Sequence, residues 1–281
     1  MIYIKTAEEI ERMRAACELT SRTLGEVAKW VKPGVTTLKL DNIAREFILD
    51  NGGKPACLGY QGFPGTLCIE VNEMVVHGFP SGYELREGDI VGTDLVVELN
   101  GMNGDSCYTF PVGEIDEKTA GLLAVTKESL YKGIAVAKAG KRIGDISNAV
   151  QTYCEHHNYS VVREMCGHGI GASMHEDPEI PNFGRRGIGP VLKPGMCICI
   201  EPMINLGSKN VVIESNGWEC RTRDRKPSAH YEHTVLITLD EPEILTTFDY
   251  IEAALSPTTA EKHERKQINT TDKDLWLNRQ R

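Results

Sequence analysis

The sequence predicts an α/β fold of the α+β kind, built from two similar halves that each run helix, turn, helix and then strands. Three observations carry this. Helical periodicity fills two paired stretches, 7–50 and 117–157, with strand-like apolar runs after each. LREGDIVGTD (85–94) resembles LKPGMCICIE (192–201) at an offset of 107: Leu, a base, any residue, Gly, an apolar run, then an acid. Lys32-Pro33-Gly34 and its following helix match Lys138-Ala139-Gly140 at an offset of 106, and EMVVHG (73–78) matches EMCGHG (164–169) at 91. The shared order points to a duplication, with halves at about 7–113 and 117–250 inside one domain of residues 1–252, and a polar tail at 253–281. If the halves pair about a pseudo-two-fold axis, Asp94 and Glu201 become symmetry mates at its centre.

Each element has a local reason. Thr6-Ala7-Glu8-Glu9 is a capping-box signature. Behind it Ile10, Met13, Cys17, Leu24, Val27 and Val31 share a helical face, which Lys32-Pro33-Gly34 ends. A second helix spans Leu38 to Asp50, with Leu40, Ile43, Phe47 and Ile48 inward and Gly52-Gly53 as its stop. Residues 55–80 read as loop and short strands. Helical spacing resumes after Asp116 with Leu122, Leu123, Leu130, Ile134 and Ala137, ends near Gly140, and returns from Ile143 to His157. YSVVREMCGHGIG, LKPGMCICIEPMINL and YEHTVLIT are strand-like. The tail, SPTTAEKHERKQINTTDKDLWLNRQR, has little to bury.

Composition narrows the class. The 281 residues hold no apolar run long enough to span a membrane, and MIYIKTAEEIERM lacks the pattern of a signal peptide. A net charge of −9 argues against a nucleic-acid partner. The nine Cys, an odd number without a C-x-x-C pair, read as small buried residues in a reducing compartment, and the protein as cytoplasmic.

DLVVELNGMNGD (94–105) sets two carboxylates at the ends of a hairpin with an apolar spacer. Asp is depleted in strands, so the pair is either two turn caps or a cation site. The second half decides between them. Glu201 ends an apolar strand in CICIEPM, where a charge is costly unless paired or metal-bound. Glu232 opens the run in YEHTVLIT, and His168 lies between glycines in CGHGIG. Asp94, Asp105, His168, Glu201 and Glu232 make four carboxylates and one imidazole. Such a set suits a pair of Mn, Fe, Co or Zn ions rather than a sulfur-bound zinc. GHGIG is not a dinucleotide loop, because its glycine frame is incomplete and no helix pattern follows.

With VNEMVVHGFP, GDIVGTD, NGDSCYTF, CGHGIG, MHEDPEIPNF, GMCICIEPM and SAHYEHT in view, the chain resembles methionine aminopeptidase, type I, from about residue 3 to 250. The resemblance implies the pita-bread fold, a pseudo-symmetric domain with helices outside a curved, mainly antiparallel sheet. It implies two divalent cations. Asp94 would be specific to one and His168 with Glu201 to the other, with Asp105 and Glu232 bridging. It further implies hydrolysis of the first peptide bond after an N-terminal Met, by a water that the metal pair activates. Glu201 would move the proton, His175 would stabilise the oxyanion, and His77 would meet the scissile amide nitrogen.

The resemblance maps the Met side-chain pocket to Cys57, Tyr60, Phe63, Cys68, Met174 and Trp218. Five positions depart from the family pattern. Phe63 stands for a usual Tyr, Met174 for Phe, Gln61 for a common His, His230 for a common Gln, and Val96 for a common Thr beside Asp94; Thr93 flanks the same aspartate. None is a metal ligand. His156, His157, His233 and His263 read as ordinary histidines.

Only 25 residues separate His175 from Glu201, too few for a large helical insertion, which favours the compact bacterial-like form. Its expected substrates are nascent polypeptides and peptides beginning with Met, met near the ribosome by a monomeric enzyme. Two alternatives stand beside this: an Xaa-Pro aminopeptidase-like hydrolase, whose usual extra N-terminal domain is not seen ahead of the first helix, and a low-activity binding paralogue.

Overall fold

The computed structural model describes residues 1–256. Helix α1 (Ala7–Ala28) starts from the capping box of Thr6 and Glu9, and α2 (Thr37–Asp50) from Thr36, whose side chain accepts from the Lys39 amide. Short strands β1 (Lys54–Pro55), β2 (Cys68–Val71) and β3 (Met74–Val76) lead to the long pair β4 (Ile90–Leu99) and β5 (Met102–Pro111). The second half opens in the same way, with α3 (Glu117–Ala135), capped by Asp116, and α4 (Ile143–His156). Strands β6 (Ser160–Val161), β7 (Gly167–Gly169), β8 (Glu176–Ile180), β9 (Cys197–Ile200) and β10 (Met203–Asn205) follow. Then come β11 (Val211–Ile213), β12 (Cys220–Thr222), β13 (Ser228–His230), β14 (His233–Leu236), β15 (Glu243–Ile244) and a closing helix α5 (Asp249–Leu255).

The four long helices lie where the apolar spacing puts them. The expected tail boundary at 253 moves, because α5 runs to Leu255. Ile251 is fully buried there, and a Cβ on Gly25 of α1 would stand 2.5 Å from the Tyr250 Cβ, so the helix is seated tightly on α1. The rest of the expected tail, 257–281, and His263 with it, lie outside the described residues.

Ladders between the strands are antiparallel. β4 pairs β5 on one edge and β2 and β1 on the other, and a five-stranded sheet runs β15-β14-β9-β7-β8. Asn100 and Gly101, both at positive φ (54° and 75°), form the two-residue turn between β4 and β5. The halves are stitched along β5. Thr234 Oγ1 accepts from the Asp105 amide (3.1 Å) and donates to the Asp105 carbonyl (2.8 Å), and the Glu232 amide donates to the Cys107 carbonyl (2.9 Å).

Side chains on a strand alternate between faces, and that alternation sets the site apart from the core. Leu95, Val97, Ile198 and Ile200 join one apolar cluster with Leu24 and Leu40 of the first-half helices and Leu130 and Ile146 of the second. Asp94 and Val96 are therefore turned to the opposite face of β4, and Glu201, one step past Ile200, to the opposite face of its strand. Gly104 marks the same division. A Cβ there would stand 2.6 Å from the Cys17 amide nitrogen of α1, so Gly104 lies under the helix and Asp105 points away from it.

Candidate metal and peptide site

The β4–β5 register pairs Asp94 with Cys107 and Val96 with Asp105. Both carboxylates thus sit within their strands rather than at the hairpin ends, on one face and one diagonal step apart. In β9 and β14, Ile200 pairs His233, so the next step sets Glu201 opposite Glu232. The Asn182 side chain donates to the Glu201 carbonyl (2.9 Å), and Ser106 Oγ donates to the Glu232 carbonyl (2.8 Å). The β4–β5 hairpin and the β9–β14 pair meet along β5, which brings all four acids to one place.

His168 enters from β7. Its Nδ1 donates to the Gly169 carbonyl at 2.9 Å, which leaves the Nε2 lone pair facing Asp105 Oδ2 and Glu201 Oε1, each 3.6 Å away. Burial, helped by the neighbouring His175, pushes the His168 pKa down to about 4, so the ring is neutral near pH 7. A lone pair aimed at two carboxylates is unfavourable unless a cation stands among them. The acids give the same answer. Burial first, and then the charge of the other carboxylates, raises the pKa of Asp105, Glu201 and Glu232. Asp105 Oδ1 and Glu232 Oε1 are buried without a hydrogen-bond partner. Ligand atoms of Asp105, His168, Glu232 and Cys199 lie within 4.8 Å of one another. Burial and the Glu232 charge hold the Cys199 thiol protonated, so the fitting donors are the carboxylates and the imidazole.

A cavity of about 750 Å³ opens over these groups. It is lined by every residue that the sequence singles out: Asp94, Asp105, His168, Glu201, Glu232, His77, His175, Cys57, Tyr60, Phe63, Cys68, Met174 and Trp218. His77 follows β3 at φ 60°, a backbone rarely adopted by a non-glycine residue, with its ring edge-on to Trp218 at 5.8 Å. Burial lowers the His77 pKa, with Asp94 acting against it. His175 packs against His168 (4.4 Å between centroids), and its Nδ1 lies 3.2 Å from the Tyr60 hydroxyl. Cys57, Phe63, Cys68, Val96 and Met174 form a separate buried apolar cluster beside the acids, edged by Tyr60, Phe79 and Trp218. Phe63 holds Trp218 and Phe79 edge-on at 5.2 and 5.4 Å. His233 is a core histidine between Thr246 (2.7 Å) and Tyr131 (3.3 Å), and His157 is exposed, as their sequence setting indicates.

Sequence reasoning missed Phe79 and Glu70. Glu70 is 2% exposed, and both its oxygens contact His230 Nδ1, at 3.1 and 3.2 Å. It faces Gly92 across the ladder, where a Cβ would stand 2.3 Å from Glu70 Oε2. Burial opposes a charge on His230, but Glu70 outweighs it and raises the imidazole pKa. The legible signal was period two: Cys68 and Glu70 share the face that carries Asp94.

The family model of metallopeptidase family M24 matches residues 11–239. Over 246 residues the chain is 50% identical to the methionine aminopeptidase of Clostridium perfringens, which covers 88% of this chain and 99% of that one. It is 48% identical to methionine aminopeptidase 1 of Bacillus subtilis, with the same coverage. The crystal structure of methionine aminopeptidase from Rickettsia prowazekii superposes with a TM-score of 0.87 at 43% identity, over 88% of this chain and 100% of that one. The shared architecture is the pita-bread fold. The chain belongs to metallopeptidase family M24 and, within it, to the methionine aminopeptidases, hydrolases that remove an N-terminal methionine.

Proposed function

We propose that Asp94, Asp105, His168, Glu201 and Glu232 hold two divalent cations of the Mn, Fe, Co or Zn class, and that the adjoining apolar cluster receives the methionine side chain. The observation that carries this is His168, whose Nδ1 is held by the Gly169 carbonyl while its Nε2 faces Asp105 and Glu201 at 3.6 Å in a buried acidic cluster. The bound ions supply a water of lowered pKa and polarise the substrate carbonyl.

The chain's own groups do the rest. Cys57, Phe63, Cys68, Met174 and Trp218 bury the thioether and exclude water from it. Asp94 attracts the free α-amine, which restricts cleavage to the first residue. Glu201 accepts the proton of the attacking water and delivers it to the amine that leaves as the C–N bond breaks. His175, whose Nδ1 is engaged by Tyr60, offers an Nε2–H to the carbonyl oxygen as charge develops on it. His77 meets the scissile amide nitrogen.

The substrates are then nascent polypeptides and peptides that begin with Met, encountered near the ribosome in the cytoplasm by a single chain. All nine cysteines are free, which suits a reducing compartment. The test is peptide hydrolysis by metal-stripped protein with each divalent ion added back. Methionine released from Met-Gly-Met-Met only after re-addition supports the reading. Undiminished release in chelator, or cleavage confined to Xaa-Pro peptides, overturns it.

A further inference from the structure

A second cavity, of about 570 Å³, adjoins the first. Met1, Asp177 and Glu179 line both, so the two are continuous along β8. Its wall is largely apolar, with Ile143, Pro178, Pro181, Phe183, Ile188 and Pro190 among the lining residues. Ile188 is 57% exposed, yet the loop that carries it is firmly held on the first turns of α4. The Gly144 amide donates to the Ile188 carbonyl (2.9 Å) and the Arg142 guanidinium to the Gly189 carbonyl (2.7 Å). From the loop, the Gly187 amide donates to Asp145 Oδ1 (3.0 Å) and the Gly184 amide to Gln151 Oε1 (3.0 Å). Gly144 allows this approach, since a Cβ there would stand 2.2 Å from the Arg185 carbonyl oxygen. Phe183 is backed by the Arg163 guanidinium at 5.0 Å. An apolar side chain left in water on an anchored loop, in a concave wall, is the arrangement of a preformed binding surface.

We infer that this trough receives the substrate chain downstream of the scissile bond: the peptide leaves the acidic site past Asp177 and Glu179 and seats an apolar side chain against Ile188 and Phe183. This rests on the proposed peptidase reading. An enzyme that removes only the first residue must let the whole remainder of its substrate out of the cavity, and the shared lining makes the trough a continuous way out. The mode of recognition follows from the wall. Pro178, Pro181 and Pro190 carry no N–H, and Ile2 already bridges to the edge strand β8 at Asp177. The trough is thus poorly made to add a backbone strand and well made to read side chains.

The test compares two octapeptides, Met-Ala-Ser-Gly-Leu-Leu-Ser-Lys and Met-Ala-Ser-Gly-Ser-Ser-Ser-Lys, with the tripeptide Met-Ala-Ser on full-length Mn²⁺-loaded protein. Wild type should favour the Leu octapeptide over the Ser octapeptide by about 10-fold in kcat/KM, carried by KM, as expected for one apolar side chain taken from water. I188D puts a charge on the wall and F183A removes a ring from it; each should bring that ratio close to one. Ile188 is exposed, so I188D should keep the wild-type melting temperature and serves where F183A folds poorly. A wild-type ratio near one, or a 10-fold preference that survives in folded I188D, would overturn the inference. So would a wild type that sediments as a dimer and an I188D that sediments as a monomer, which assigns the trough to a second copy of the chain. Failure to release methionine from Met-Ala-Ser counts against the proposed function instead, and calorimetry of the two octapeptides on metal-stripped protein, where no turnover intervenes, still reads the preference of the trough.

Discussion

Asp94 and Asp105 are diagonal neighbours on one face of the β4–β5 hairpin. Asp94 lies across from Cys107 and Asp105 from Val96, a two-residue offset in the ladder. Like charges directly opposite one another destabilise a sheet, whereas a diagonal pair stays within reach of a shared ion at about 7–8 Å between backbones. Asp105→Asn and Asp94→Ala should therefore lower kcat by about 100-fold or more, beyond the loss typical of residues that only support a ligand. In the metal-free protein Asp105→Asn should leave the melting temperature unchanged or raise it, since one of several crowded buried charges is gone. Calorimetric Mn²⁺ titration alongside thermal melts checks both halves of this prediction.

Glu201→Gln keeps the size of the side chain and removes its capacity to take a proton. The expected loss in kcat is about 10²–10⁴-fold, with the circular dichroism spectrum unaltered. Wild-type turnover of Met-Gly-Met-Met by this variant would remove Glu201 from the proposed proton path.

The raised Glu232 pKa fixes the sign of a pH effect. In the metal-free fold Glu232 holds its proton more tightly than in the unfolded chain. It costs no stability below the ordinary carboxylate range, and the cost appears as pH rises from that range through the folded value. Metal-free Glu232→Gln should thus melt higher than wild type, by a margin that widens with rising pH, and the order should reverse with saturating Mn²⁺. A margin that narrows as pH rises would contradict the burial argument.

Gly104 is a packing prediction away from the chemistry. A Cβ at this position meets the α1 backbone at Cys17 and Ala16, at 2.6–2.7 Å. Backbone cannot swing aside as a flexible side chain can, so Gly104→Ala should cost about 1–3 kcal/mol or more in urea unfolding. It should also disturb Asp105 next to it.

The apolar pocket makes its own claim. Phe63→Ala removes the ring that holds Trp218 and Phe79 edge-on. The expected outcome is a fall in kcat/KM on Met-Ala-Ser of about 10–200-fold, the range for lost apolar complementarity in a substrate pocket. Mn²⁺ affinity should be preserved, because Phe63 belongs to the apolar cluster and not to the acidic one.

The chain by itself determined the helices, and it pointed to a duplication and to an acidic set. Their signals are local: caps at Thr6 and Asp116, apolar spacing, and acids closing apolar runs such as CICIE. The resemblance to a known family supplied the pocket residues, and they share one cavity. Tertiary structure decided what depends on register and on contacts distant in the chain. The sequence places Asp94 and Asp105 eleven apart, but only the ladder shows them one diagonal step apart within the strands. Glu70 and His230 are 160 positions apart and read separately as a charge in a short strand and a substituted glutamine. Their meeting depends on how β2, β4, β5 and β13 stack, and on the absent side chain of Gly92. Periodicity tells which face a residue takes; which partner waits on that face is fixed only when the two halves close along β5.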